Sequence, residues 1–328
     1  MPNLLSTLEV KGMVLKNRIV MPPMANNMAT EQGEITPKLV EHYLARAKAE
    51  VGLLIVEHAY VVPIGRVNKN QLGMHDDRVI PGLRELVDAV HAAGARIGSQ
   101  ITHAGGAATS EVLGAIPEAP AAVRHPRGTE VPRELGVKEL AVLAKAFATA
   151  ARRVKAAGFD MVEIHGAHGY LLNQFYSPLT NRRKDAYGGD REKRLRFPLE
   201  VVEAVRREVG PDFPVFYRLG ADDLMPGGLT AEDAKFAAPR LVEAGVDLLD
   251  VSGGLGGSRP EGAKPGYFVP LAIAVKSVVQ GPVLVTGGIR EPEFADQIIR
   301  DGKADLVGIG RALLADPEWA RKAVAALR

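Results

Sequence analysis

His165, His168 and Tyr170 fall within six positions of the stretch VEIHGAHGYLLNQFYSPLTNRRKDAYGG, residues 162–189, separated by Gly166 and Gly169. Two imidazoles and a phenol at that spacing can grip a carbonyl oxygen and deliver a proton nearby. The glycines let the backbone turn and approach a ligand closely. Just upstream, Met161, Val162 and Ile164 form an apolar run that suits a buried strand, so the trio sits at a strand end. The plain alternative is a pair of loop histidines satisfied by their neighbours. A metal is the weaker reading of His-x-x-His: no third ligand is close in sequence, and without cysteine a closed zinc site would draw on distant Asp, Glu or His.

Elements that would position such a trio recur along the chain. Ile19 to Met24 reads as a first strand ended by Pro22 and Pro23, and Thr36 with Pro37 as the cap and first position of a helix over 38–49. VGLLIVEHAY and ARIGSQITHAGG read as the second and third strands, with a helix over 81–93 between them. From Ala104 to Gly136 the chain is rich in Gly, Pro and Ala without periodicity, which fits a functional loop or lid better than a linker. A helix over 137–157 leads to the strand that carries the trio. After it come a helix over 192–209, a strand over 214–219 and a helix ending at Ala244 whose start, Thr230 with Asp233, resembles a capping box. VDLLDVSGG, PVLVTGG and ADLVGIGR complete eight strands, with helices over 267–279 and 291–300. Ala157-Gly158-Phe159-Asp160, Ala244-Gly245-Val246-Asp247 and Gly302-Lys303-Ala304-Asp305 introduce alternate strands in similar fashion. Eight such units predict a single (β/α)8 TIM barrel over residues 1–328, with the extended loop between strand three and its following helix. A doubly wound open sheet is the runner-up, disfavoured because no Gly-x-Gly-x-x-Gly opens the first βα turn.

In a barrel the strand ends meet around one pocket. Strands seven and eight end in Gly287-Gly288 and Gly310, and Arg311 follows directly, which together predict a phosphate cradle. Arg218 interrupts the apolar run VFYRL; a buried guanidinium calls for an anion or a rich acceptor, with a structural ion pair as the simpler account.

These residues carry a family resemblance. LKNRIVMPPM, Glu31 to Thr36, HGAHGYLLNQFYSPLTNRRKDAYGG, VTGGI and GIGRALLADP together resemble the Old Yellow Enzyme family, in its bacterial NADH:flavin oxidoreductase branch that includes the barrel domain of 2,4-dienoyl-CoA reductases. The long central motif is specific; the glycine pairs are not. The resemblance implies one FMN-binding barrel domain, FMN held without a covalent bond, and NADH or NADPH as reductant. Pro23, Met24, Ala25 and Ala59 would line the isoalloxazine, Gln100 its pyrimidine edge and Arg218 its N1 and O2 atoms, with Gly287, Gly288, Gly310 and Arg311 on the phosphate. His165 and His168 would hold the carbonyl oxygen of an activated alkene while the β-carbon takes hydride, and Tyr170 would protonate the α-carbon. Some bacterial members carry cysteine and tyrosine where this chain has Ala25 and Asn27, so a thiol contact to flavin and a phenol at the substrate are absent.

Competing functions are an FMN-dependent amine or other dehydrogenase or demethylase on the same barrel, a non-flavin barrel binding a sugar phosphate, and a non-catalytic flavin-binding scaffold. No strand end supplies a Schiff-base lysine for the sugar-phosphate reading, and a scaffold would leave the trio without a task. Composition narrows the partners. A net charge of +2 gives no reason for nucleic acid or anionic membrane, and the basic clusters at 182–184 and 191–196 read as solvated surface. Zero cysteines exclude disulfides, thiolate-held clusters and thiol nucleophiles. The start of the chain lacks a signal-peptide pattern and no apolar run spans a bilayer, leaving a cytoplasmic enzyme as the default. With no iron–sulfur ligands and no second nucleotide-binding domain in sight, electrons are expected directly from NADH or NADPH. Self-association is common in the resembled family, and no stretch identifies an interface.

Overall fold

Alternate residues on the longer central strands change character from apolar to polar as the chain climbs, and this gradient organises the molecule. The computed structural model describes residues 1–328. Its closed barrel consists of β1 (Ile19–Met21), β2 (Leu53–Tyr60), β3 (Arg96–Thr102), β4 (Met161–Gly166), β5 (Val215–Gly220), β6 (Leu248–Ser252), β7 (Val283–Val285) and β8 (Leu306–Gly308). Each pairs in parallel with its sequence neighbour, and β8 closes on β1. The eight-strand barrel expected from the sequence is therefore the fold.

Inside the barrel, one layer of Val20, Leu53, Ile55, Met161, Phe216, Leu248, Leu284 and Leu306 forms an apolar cluster with Val10, Met13 and Leu15. The last three belong to an antiparallel hairpin, Leu8–Val10 with Met13–Leu15, that seals the N-terminal end of the barrel. Because side chains alternate along a strand, the same inward rows continue as Glu163 and His165 above Met161, Arg218 above Phe216, and Asp250 and Ser252 above Leu248. Apolar burial stabilises the lower half; the polar upper rows have to find partners in one another or in a ligand.

The outer layer contains α1 (Pro37–Lys48), α2 (Ile80–Ala92), α3 (Val137–Ala156), α4 (Arg191–Val209), α5 (Ala231–Glu243), α6 (Val269–Lys276), α7 (Pro292–Arg300) and α8 (Trp319–Leu327). Thr36 caps α1, its hydroxyl accepting from the Leu39 N–H at 3.3 Å. The capping box of α5 also forms, the Thr230 N–H donating to Asp233 at 3.0 Å. The repeated Gly-containing tetrapeptides have a shared structural task. Gly158, Gly245 and Gly302 all have positive φ (92°, 119° and 67°), closing α3, α5 and α7. The aspartates that follow accept an N–H at the start of the neighbouring strand: Asp160 from Ile97, Asp247 from Val215 and Asp305 from Val283, at 2.8, 2.8 and 2.9 Å.

Three expectations need correction. β1 ends at Met21 rather than Met24, because Pro22 and Pro23 lack the N–H a ladder needs. The helix expected over 267–279 is confined to Val269–Lys276. Arg183 is not solvated surface: it is buried, its Nη1 donating to the carbonyls of Pro120 and Leu135 at 2.9 and 2.6 Å and its Nη2 to Asp185 at 2.6 Å. That guanidinium staples the extended segment between β3 and α3. The segment contains a short helix, Ser110–Leu113, and a two-residue ladder pairing Glu118–Ala119 with Arg133–Glu134.

Candidate active site

β4 delivers His165 at its end, and the chain then bends sharply. Gly166 is required there, because a Cβ would lie 2.1 Å from the Tyr217 hydroxyl oxygen. His168 adopts a left-handed φ of 56°, a costly conformation for a residue with a side chain. Several bonds hold it: its N–H donates to the Gly253 carbonyl at 3.0 Å, its ring Nε2 lies 2.7 Å from the Ser252 hydroxyl, and its carbonyl accepts from Arg127. Tyr170 follows at the start of a short helix, Leu171–Tyr176.

The turn brings the expected trio together. The His165 ring centroid lies 5.0 Å from that of His168 and 4.9 Å from that of Tyr170, with planes near perpendicular. The His165 Nδ1 accepts the Ala167 N–H at 3.3 Å, so a neutral ring carries its proton on Nε2. Burial, the neighbouring His168 and Arg218 all hold His165 well below the usual imidazole range; burial and Arg218 do the same for His168. Both rings are neutral donors near neutral pH. Burial raises Tyr170, with Arg127 pulling in the opposite direction, so the phenol keeps its proton.

Arg218 stands beside His165 in register on the neighbouring strand and beside Asp250 on its other side. Its Nε is 3.2 Å from Asp250, and its Nη2 donates to Thr286 at 3.4 Å. The simpler account of this arginine, an ion pair, is thus realised, yet the pair is incomplete. No oxygen of Asp250 has a well-aligned hydrogen bond, and Glu163, next to it in the barrel, has one free oxygen. Burial pushes both carboxyls upward; Asp250 adds to the effect on Glu163, and Arg218 opposes it. Gln100 donates to Glu163 at 2.7 Å, leaving its own Oε1 buried without a partner.

A cleft of about 150 Å³ opens above this layer, lined among others by Pro22, Met24, Arg218, Gly287, Gly288, Gly310 and Arg311. Gly287 and Gly288 have φ of 133° and 71°, and a Cβ on Gly310 would sit 2.9 Å from the Met24 sulfur. Arg311 donates to the Tyr267 hydroxyl at 3.1 Å. The donor set of the cleft fits a planar ring with a polar edge and an anionic tail: Arg218 at one end and cationic Arg311 among glycines at the other, while the orphaned Gln100 oxygen is buried in the strand layer beside Glu163.

Other expected residues fall as follows. Pro22 and Met24 face the cleft on either side of Pro23, which is partly buried; Ala59 is buried in β2. Ala25 is exposed, and so is Asn27, which has a φ of 54°. Sequence reasoning gave no role to His58, whose ring packs 5.4 Å from Tyr170 and 6.3 Å from His165. It also passed over Tyr267 and Arg127. A histidine at the end of β2 was the available signal for the first; nothing in the local pattern marks the other two.

Comparison with known proteins gives the chain its family and its fold relatives. The model of the NADH:flavin oxidoreductase / NADH oxidase family matches residues 3–328. An NADH oxidase of Thermoanaerobacter brockii is 46% identical over 98% of this chain and 50% of its own length. An NADPH dehydrogenase of Geobacillus sp. strain WCH70 is 44% identical over 96% of this chain and 92% of its own. The chain thus spans half the length of the first relative and nearly all of the second. Among solved structures, the old yellow enzyme homologue of Zymomonas mobilis superposes with a TM-score of 0.88 at 28% identity, covering 100% of this chain and 94% of that one.

Proposed function

The chain belongs to the NADH:flavin oxidoreductase / NADH oxidase family, in which the old yellow enzymes fall, and on that footing we propose that it is an FMN-dependent ene-reductase acting on activated alkenes. The observation that carries this reading is the convergence of His165, His168 and Tyr170 beside a cleft whose far end is a glycine-lined arginine. Arg311, Gly287, Gly288 and Gly310 would hold the FMN phosphate, Arg218 and Gln100 the pyrimidine edge, and Pro23, Met24, Ala25 and Ala59 the ring faces. FMN, when bound, supplies a carrier that accepts hydride from NADH or NADPH and passes it to the acceptor. Residues 1–328 act as one FMN-binding unit in this reading.

The protein's own part is electrostatic and acid–base. The neutral His165 offers its Nε2–H to a carbonyl oxygen; His168 joins it when the Ser252 hydroxyl donates to its Nε2 and leaves Nδ1–H free. Two donors on that oxygen stabilise the negative charge that gathers there as the β-carbon is reduced. Tyr170 then transfers its phenolic proton to the α-carbon, a strong enough base to take it. The substrate class that fits is a small α,β-unsaturated carbonyl compound, which Asn27 would meet in place of an aromatic contact.

The test is the double variant His165→Ala/His168→Ala. It is expected to retain FMN and lose enone reduction and phenol binding, on the order of 10²-fold or more for removal of aligned oxyanion donors. Wild-type turnover in that variant overturns the assignment.

A further inference from the structure

His58 stands behind Tyr170, and its proton is placed by a third residue. The β2–β3 register shifts between Val56 and Ala59, so the bulged Glu57 and His58 leave the regular ladder, which lets the imidazole reach the site end of the barrel. Gln71 lies beside it in an irregular segment. The Gln71 Oε1 accepts the Val67 N–H at 2.7 Å, which fixes the amide so that its nitrogen faces His58. That nitrogen lies 2.8 Å from both the His58 Nδ1 and the His58 carbonyl oxygen, and its two hydrogens serve both. Nδ1 is therefore an acceptor. Burial, with Arg218 nearby, lowers His58 to about 4, so the ring is neutral and its single proton sits on Nε2. The Nε2 is 3.5 Å from the Tyr170 hydroxyl, the outer edge of a hydrogen bond, with the ring planes 75° apart.

We propose that His58, oriented by Gln71, is a positioning residue for Tyr170: its Nε2–H addresses the phenol oxygen, turning the phenol's own proton toward the cleft. The inference rests on Tyr170 as the proton donor. In the transfer the Tyr170 O–H bond breaks and a C–H bond forms with the electron pair on the α-carbon. The phenolate left behind accepts the His58 N–H until water returns the proton. His165 and Arg127 are the other titratable or charged groups that act on Tyr170, and neither is placed to perform this task by a hydrogen bond to the phenol. A hydrogen bond to a charged partner is worth enough for roughly a tenfold effect.

The experiment uses the FMN-loaded protein with ring-carbon-labelled tyrosine, the Tyr170 signal being assigned by its loss in Tyr170→Phe. His58→Leu is expected to raise the Tyr170 titration midpoint by about one pH unit and to slow enone-driven recolouring of the reduced enzyme roughly tenfold, with bleaching by NADPH within about twofold of wild type. His58→Gln, which returns an N–H, recovers most of both losses. Gln71→Leu, which leaves the imidazole but frees its tautomer, shifts both in the same direction by less. An unmoved midpoint in His58→Leu, equal slowing of both half-reactions, or no recovery in His58→Gln overturns the inference. If Tyr170→Phe itself recolours at the wild-type rate, the ene-reductase reading of Tyr170 fails; if it is slow while His58→Leu is not, only the role of His58 falls.

Discussion

Arg218 shows how much one side chain settles at this site. It is 4% exposed, flanked in register by His165 and Asp250, with Glu163 close by in the same layer. Replacing it by methionine leaves two buried carboxyls without their cation, so Arg218→Met is expected to destabilise the FMN-saturated protein by about 3–5 kcal/mol at pH 8. The sign of the pH dependence follows from the carboxyls. Their folded-state pKa values already lie above the unfolded ones and rise further without Arg218, so the folded variant binds more protons than the unfolded chain. Its deficit should shrink as pH falls from 8 to 5, read by urea unfolding; a deficit independent of pH would show that the carboxyls do not depend on Arg218. His165, His168 and Tyr170 were legible in the sequence because an abrupt polar cluster ends an apolar run. His58 was visible only as a strand-end histidine. Its task depends on a bulge and on Gln71, 13 positions away in a segment without periodicity.

At the scale of elements, the recurring aspartates do for the barrel floor what caps do for helices. Asp160 accepts the Ile97 N–H and also meets Arg96 at 2.9 Å and His91 at 2.8 Å. Asp160→Ala should cost about 1–3 kcal/mol by orphaning a strand N–H, and Asp160→Asn, which keeps an acceptor, should recover much of it. Thermal unfolding of the two variants checks this; equal losses would assign the effect to charge alone. The echo of Gly and Asp was readable as a repeat, but the hydrogen bond behind it was not, since it joins residues 63 apart. The N-terminal hairpin and the helix Leu171–Tyr176 escaped notice for a different reason: three-residue strands and a six-residue helix are too short to show a period.

For the molecule as a whole, the apolar floor and polar roof of the barrel explain why chemistry collects at one end. Apolar runs revealed the strands, and the strand ends revealed the pocket. The segment over 104–136 was identified by its lack of pattern, and its contribution emerges only in three dimensions: Arg183 pins it, and Arg127 reaches the carbonyl of the strained His168. No helix is long and apolar enough to cross a membrane. The central claim joins a flavin held along the cleft, from Arg218 to Arg311, to an enone gripped beside it by His165 and His168. Its most direct test is an anaerobic two-step absorption measurement on the purified protein. NADPH or NADH should bleach a bound-flavin band, and a conjugated enone added next should restore it with one alkene reduced per flavin. A protein without a flavin band, or one that bleaches and is not recoloured by any conjugated carbonyl compound, contradicts the account.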